Sequence, residues 1–319
     1  MRTPKPFTSW LGPHFDRFVA LRRACGAVYF SQHRILLAFD RWIQAKGLTA
    51  PLQYTTLVEY LSSLDRLSPR ARDNVISVIW HAVGHALRHG APGEPLAARP
   101  PRAASYWRER QPRIVSRAEI GRMMIAARSL PPVDALRGAT IATLLGLLWT
   151  TGMRLGEAVA LEVGDLNASE NLLTIRKGKF SKSRVLVLHE STTAALTRYL
   201  NDPRRRVRTA ASSPLLVSAR RHRLSYGMVY HALHAACEAA DIEPPWPRPH
   251  DLRHTFAITR VATWYAEDRS VDPLLPVLST YLGHVSVENT RHYLVANGVL
   301  LEQAAVRFER ATRGLEVLP

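Results

Sequence analysis

Tyr293 closes the run Tyr281-Leu-Gly-His-Val-Ser-Val-Glu-Asn-Thr-Arg-His-Tyr293, which sets a phenol nine residues after an imidazole, His284. Two earlier segments carry matching chemistry. His250-Asp-Leu-Arg253-His-Thr-Phe-Ala holds a histidine and an arginine at i and i+3, which share a face if the segment is helical. Thr151-Gly-Met-Arg154-Leu-Gly-Glu157 adds a second arginine, with a carboxylate one helical turn beyond it. Together these groups suit attack on a phosphodiester. A side-chain nucleophile conserves the bond energy in a covalent ester. Arginines are permanently charged planar forks that fit two phosphate oxygens and steady the charge of a pentacoordinate transition state. A phenol has an ordinary pKa of about 10, so positive charge or a base must help to deprotonate it.

The same chemistry needs an acid for the departing oxygen. Asn171-Leu-Leu-Thr-Ile-Arg-Lys and Ser183-Arg-Val-Leu-Val-Leu-His189 are rich in β-formers and flank Gly178-Lys-Phe-Ser-Lys, so the three read as a β-hairpin with a basic tip. Lys177, Lys179 and Lys182 all lie on that tip, and any of them could reach into a nucleic acid as the acid.

The rest of the chain must carry these groups to one place. Its 319 residues allow two ordinary domains, each with its own core. The formal charge is +17, and both parts are basic: 16 Lys+Arg against 7 Asp+Glu in 1–110, and 27 against 19 in 111–319. Charge spread over folded sequence favours a broad polyanion-binding surface over a basic tail. Cys25 and Cys237 are too few and too far apart for a disulfide framework or a paired-cysteine metal site. The N-terminus, Met-Arg-Thr-Pro-Lys-Pro, lacks the apolar region of a signal peptide, and the apolar run at 139–149 falls short of the ~20 residues that span a bilayer. The expectation is a cytoplasmic protein without membrane partners, joining the nucleoid when it is bound to DNA.

Residues 91–102 hold four prolines and a glycine without helical period, which places a boundary between 91 and 113. The expected organisation is a helical DNA-binding domain over 1–100, a proline-rich linker over 101–113 and a catalytic domain over 114–319. In the first domain Ile35, Leu36, Phe39, Trp42 and Ile43 repeat at three and four, as do Leu57, Tyr60, Leu61 and Leu64. Ser68-Pro69 starts a third helix that carries Val75, Ile79, Val83 and Leu87. After the linker, Ser116 and Glu119 form a capping box. A buried helix runs through Trp149 and a short one spans 154–161. Beyond the hairpin, helices are expected at 191–200, 225–240, 250–266, 273–282, 287–296 and 299–313. The fold class is therefore mainly α in two domains: an N-terminal helical bundle, and a mostly helical catalytic domain with a small antiparallel β-sheet.

The order of these groups resembles the tyrosine recombinase, or phage integrase, superfamily: an arginine box, a lysine in a β-turn, His-x-x-Arg, Leu-Gly-His, then a tyrosine nine residues on. The resemblance covers almost all of the second domain. It implies that Arg154 and Arg253 bind the scissile phosphate, that His250 is an acid/base or phosphate donor and His284 a phosphate donor, and that Tyr293 is the nucleophile. It implies that Glu157 buttresses Arg154. Counting back from Arg184, as family hairpins suggest, selects Lys179 as the general acid; counting forward from Ile175 selects Lys177. The implied activity is metal- and ATP-independent, site-specific cutting and rejoining of DNA through a 3′-phosphotyrosyl intermediate, of the integrase or transposase kind found on mobile elements. No cofactor is implied. The partners are double-stranded DNA, gripped by the two domains as a clamp, and further copies of the chain, as a homotetramer on DNA and a monomer free in solution. The last helix, with Leu300, Leu301, Ala304, Ala305 and Phe308 on one stripe, is the element expected to meet a neighbouring subunit or its own domain.

A topoisomerase of type IB shares the chemistry, and a catalytically inert DNA-binding relative would share the surface. His250 and His254 have the spacing of a zinc pair, but position 251 is Asp rather than Glu and Arg253 sets a cation beside the metal. His254 and His292 are expected in packing or DNA contact. Arg204-Arg-Arg206 and Arg220-Arg-His-Arg223 are expected as solvated loops or phosphate contacts.

Overall fold

The computed structural model describes residues 5–96, 99, 112–132, 135–176, 183–206, 210–284, 286–291 and 305–306. The chain forms two compact units, Met1–Arg110 and Gln111–Pro319.

In the first unit four helices, α1 (Gly12–Ala24), α2 (Phe30–Ala45), α3 (Tyr54–Ser62) and α4 (Pro69–Arg88), enclose an aromatic core. Periodicity alone finds three of them. α1 escapes it because Phe15, Phe18 and Val19 are the buried side chains in a stretch otherwise dense in arginine and histidine. Phe39 centres the core, 6.2 Å from Phe15 and 4.7 Å from Tyr60 between ring centroids. Leu36, Ile43, Leu57, Ile79 and Val83 fill in around it. Asp40, fully buried, is the polar exception. It accepts hydrogen bonds from the Thr8 and Ser9 backbone N–H groups at 2.8 and 3.0 Å, and so straps the chain's entry onto α2.

The second unit is mostly helical around a small sheet. Ser116 and Glu119 cap α5 (Arg117–Arg128) reciprocally, at 3.2 and 2.7 Å. α6 (Leu136–Thr151) is mostly apolar and runs through the core, with Leu144, Leu145, Leu147 and Leu148 each at most 2% exposed. α7 (Leu155–Ala160) follows, then strands β1 (Leu166–Asn167), β2 (Leu172–Ile175) and β3 (Arg184–Val187). The sheet is antiparallel in the order β1-β2-β3, with β2 and β3 in register from Leu172↔Val187 to Ile175↔Arg184. Leu173, Ile175 and Leu186 point into the core while Val185 and Val187 face outward, the alternation a half-buried sheet requires. The two-residue β1 has no counterpart in the sequence reading, being too short to show a period.

α8 (Glu190–Leu200), α9 (Tyr226–Ala239), α10 (Pro249–Ala266), α11 (Leu275–Leu282) and α12 (Glu288–Arg291) complete the unit. α10 and α11 share a small apolar cluster, Ala257, Ile258, Val261, Trp264, Leu275, Leu278 and Leu282, which brings the end of α11 beside the start of α10. Residues 292–296 and most of the helix expected at 299–313 lie outside the described residues; Ala305 and Val306 are helical and exposed. Among the described residues no helix is long and apolar enough to cross a membrane.

Candidate active site

Two helix ends and two helix starts build the site. α6 stops at Gly152, whose φ of 60° is left-handed; a Cβ there would lie 2.5 Å from the Phe256 ring. Two residues on, Arg154 precedes α7, and its backbone N–H donates to Glu157 Oε2 at 2.9 Å. α11 stops in the same way at Gly283, φ 69°. α10 starts at Pro249, where a missing N–H costs nothing. The fully buried Asp251 carboxylate accepts the Arg248 backbone N–H at 2.8 Å and pairs with its guanidinium at 3.0 Å. That cap fixes the first turns of α10, which carry His250 and Arg253. Thr255 ties in the chain ahead of α5: its hydroxyl accepts the Val115 N–H at 3.0 Å and donates to Asp251 O at 2.8 Å.

The two arginines brace each other's segments. Arg253, 1% exposed, donates Nη1 to Gly152 O at 2.9 Å and Nη2 to Leu282 O at 2.8 Å. Arg154 donates Nη2 to Gly283 O at 3.0 Å and Nη1 to Glu157 Oε1 at 2.9 Å. Each fork thus grips a carbonyl freed at the end of another helix, so segments about 30 to 130 residues apart in sequence converge on the Leu282–Gly283–His284 turn. Arg253 Nη2 also lies 2.7 Å from His284 Nε2. A guanidinium can only donate, so Nε2 accepts, the proton sits on Nδ1, and Nδ1 donates to Thr290 Oγ1 at 2.9 Å.

Glu157 is shared. Besides Arg154, its carboxylate accepts both ends of the Arg184 fork, at 3.0 and 2.8 Å. Burial pushes its pKa up, but the Arg184 hydrogen bond, the Arg154 backbone N–H and both positive charges outweigh that and hold it at about 2. Burial, then the charges of Arg253 and Arg154, press His284 down to about 3, so its imidazole is neutral. His250 is also lowered, first by crowding that thins its hydration and next by Arg253. The cluster therefore holds three fixed cations around one carboxylate and a neutral imidazole, a field that favours an incoming anion.

The structure brings together Arg154, Glu157, Arg253 and His284. His250 stands one turn before Arg253 on α10, exposed, with its ring edge-to-face to His254 at 4.6 Å between centroids. Lys177, Lys179, Lys182, His292 and Tyr293 lie outside the described residues. The arginine-rich loops divide. Arg204 pairs with Asp202 at 2.7 Å, Arg205 is 2% exposed and donates to Pro214 O, and Arg223 caps the carbonyls ending α7 and pairs with Glu162 at 2.7 Å. All three hold loops in place; Arg204 and Arg223 do so while exposed, as expected of solvated loops, whereas Arg205 is buried and is not the solvated or phosphate-facing group expected. Sequence reasoning missed Arg184 and Thr290 as partners in the cluster. Arg184 had a signal in its place at the strand entering from the basic tip, whereas Thr290 had none. Among the described residues no group of three His, Cys, Asp or Glu is arranged to hold a metal ion.

Residues 114–298 match the family model described as the phage integrase family. The chain is 33% identical over 303 residues to y4rE of Sinorhizobium fredii, which carries the name integrase/recombinase, covering 94% of this chain and 96% of that one. It is 30% identical over 286 residues to the tyrosine recombinase XerD of Bifidobacterium longum, covering 85% and 87%. Among solved structures it is similar in fold to the XerH site-specific recombinase bound to palindromic difH substrate, with a TM-score of 0.63 and 19% identity over 92% of this chain and 84% of that one. A lambda integrase tetramer bound to a Holliday junction gives a TM-score of 0.61 and 18% identity, over 89% and 76%.

Proposed function

The chain belongs to the phage integrase family, and from that premise we propose that it is a site-specific tyrosine recombinase acting on duplex DNA. The observation that carries the reading is the crossed bracing of Arg154 and Arg253 through Gly152, Leu282 and Gly283, with His284 in the same turn. Three separate sequence segments converge there, each bringing a group suited to phosphate.

In the proposed reaction the Tyr293 phenol attacks phosphorus, its proton passing to His250, and a 3′-phosphotyrosine forms. The bond from phosphorus to the 5′-oxygen breaks, and Lys179 (Lys177 as the alternative) protonates the leaving hydroxyl. Arg154 and Arg253 donate to the non-bridging oxygens, where charge builds up, and His284 joins them as a donor once its proton moves to Nε2 and Arg253 Nη2 turns from it to the phosphate. Glu157 keeps Arg154 aimed. A 5′-hydroxyl from a second duplex then attacks the phosphotyrosine and releases the enzyme, so energy is conserved without ATP. Exchange between two duplexes requires four such centres. The chain works as a tetramer on DNA and is a monomer without it, in keeping with the tetrameric lambda integrase structure. Region 1–100 serves as a second DNA-binding unit, joined through 101–113 to the catalytic region 114–319. The setting is the bacterial cytoplasm and nucleoid, and the DNA is that of a mobile element.

Covalent trapping tests this. Nicked duplexes tiled from DNA flanking the gene are incubated with wild type and Tyr293→Phe in EDTA, then run on denaturing gels. A protease-sensitive adduct in wild type alone is expected, with binding retained by the variant. Binding without an adduct on the element's true ends would identify an inert DNA-binding relative. Affinity should also fall steeply between roughly 50 and 200 mM salt, because phosphate contacts release counterions; a flat response contradicts the reading.

A further inference from the structure

Arg184 stands where the hairpin leaves the sheet. Ile175↔Arg184 is the last pair of the β2–β3 ladder, and all three candidate lysines fall between its two members in the sequence. The two sides of this root are pinned differently. Arg176, its side chain 62% exposed, pairs with Asp165 beside β1. Arg184, its side chain 13% exposed, reaches into the arginine cluster. Its Nε donates to Tyr281 O at 2.8 Å, and its two Nη groups take both oxygens of Glu157. The fit is close: a Cβ on Gly283 would lie 2.7 Å from Arg184 Nη1, so that glycine makes room for the fork as well as adopting a left-handed φ.

We infer that Arg184 is a positioning residue for the general acid: it fixes the root of the β2–β3 hairpin to the Arg154–Glu157 pair and the Leu282–His284 turn, and so sets where the hairpin lysine meets the leaving oxygen. This rests on the recombinase reading above. Arg154 keeps holds of its own, on Gly283 O and on both Glu157 oxygens, that involve no atom of Arg184, although the two arginines share the Glu157 carboxylate. The hairpin depends on Arg184. Its root lies next to the turn through contacts that Arg184 makes with side chain and backbone together, and a bidentate fork holds direction as well as distance. A lysine at 184 would keep the charge and lose that direction.

The test separates acid catalysis from phosphate binding. The tiled duplex that gives the wild-type adduct is made with either oxygen or sulfur at the 5′-bridging position. A thiolate leaves without a proton, so a defect in the acid vanishes on the sulfur substrate. Arg184→Gln should cleave the oxygen substrate about 10²-fold more slowly than wild type, the lower range for loss of a general acid, and the sulfur substrate within about threefold. Lys179→Ala or Lys177→Ala, whichever removes the acid, should give the same pattern. Equal slowing of Arg184→Gln on both substrates would overturn the inference and place Arg184 with the phosphate-binding groups. If Arg184→Gln does not fold, Arg184→Lys is read on the same pair, with a smaller oxygen-specific deficit expected and equal slowing on both again decisive against. Absence of a wild-type adduct on both substrates defeats the recombinase reading itself, which is a distinct result.

Discussion

The two units bury polar groups to different ends. In the first, Asp40 lies at 0% exposure and is satisfied by the Thr8 and Ser9 N–H groups, within an aromatic core; its bonds close a strap and stop there. In the second, Arg253 at 1% exposure, Glu157 at 8% and their neighbours form a network that ends on one turn, 282–284. Burying a guanidinium is costly unless its donors are met, and here helix-end carbonyls accept from both Nη groups of Arg253. Carbonyls orient an arginine without neutralising it. The first unit therefore uses its buried charge for stability, and the second gathers three guanidiniums around one carboxylate, an excess of positive charge at one place, which is what a phosphate site requires.

The largest expected effect breaks the second arrangement at its centre. Arg253→Lys retains charge but cannot reach Gly152 O and Leu282 O with one planar group. Adduct formation should fall by about 10²–10³-fold, the usual loss for one transition-state donor, while binding at low salt changes little. A variant within threefold of wild type would mean that the fork is dispensable. Next comes Glu157→Ala, which leaves two partly buried guanidiniums without their shared carboxylate. Hydrogen exchange should show the second unit destabilised by about 3 kcal/mol, with protection in the first unchanged. Asp40→Ala is the mirror experiment. Loss of a charged acceptor should cost the first unit about 2 kcal/mol and leave protection around α10 and α11 as it was.

The smallest effect is the part of the pH dependence that His284 contributes, beside the buried His33 and His85 of the first unit, whose pKa values burial also lowers. Burial and neighbouring cations depress His284 to about 3 from an ordinary 6.5, so the unfolded chain binds this proton more readily than the native one. Its contribution to stability is fully present above 6.5 and is lost as pH falls from there toward 3. Glu157, held at about 2 against an ordinary 4.5, adds a loss that begins only below 4.5. Thermal midpoints should therefore fall between pH 7 and 5 in wild type and more weakly in His284→Gln. Equal slopes in the two would remove His284 from the account.

Much of this contrast was legible in the sequence. Arg154, Glu157, Arg253 and His284 stood out because charged groups at helical spacing, beside glycines that end helices, leave a readable pattern. Their braces did not, since the acceptors on Gly152, Leu282 and Gly283 are backbone carbonyls, which every residue owns. The partnership of Arg184 with Glu157 was hidden by their separation of 27 positions, which only the folded sheet closes. In the first unit the aromatic period found α2, α3 and α4, while α1 buries a narrow stripe under a coat of basic side chains. Arg205 looked like surface charge because sequence carries no sign of the carbonyl that holds it.

The central claim is that this cluster serves a tyrosine nucleophile. The most direct measurement is mass spectrometry of the trapped protein–DNA adduct after digestion with trypsin and nuclease. The account predicts one modified peptide, 292–307, bearing a 3′-linked nucleotide on Tyr293. A nucleotide attached to any other residue, or an adduct that persists in Tyr293→Phe, would contradict it.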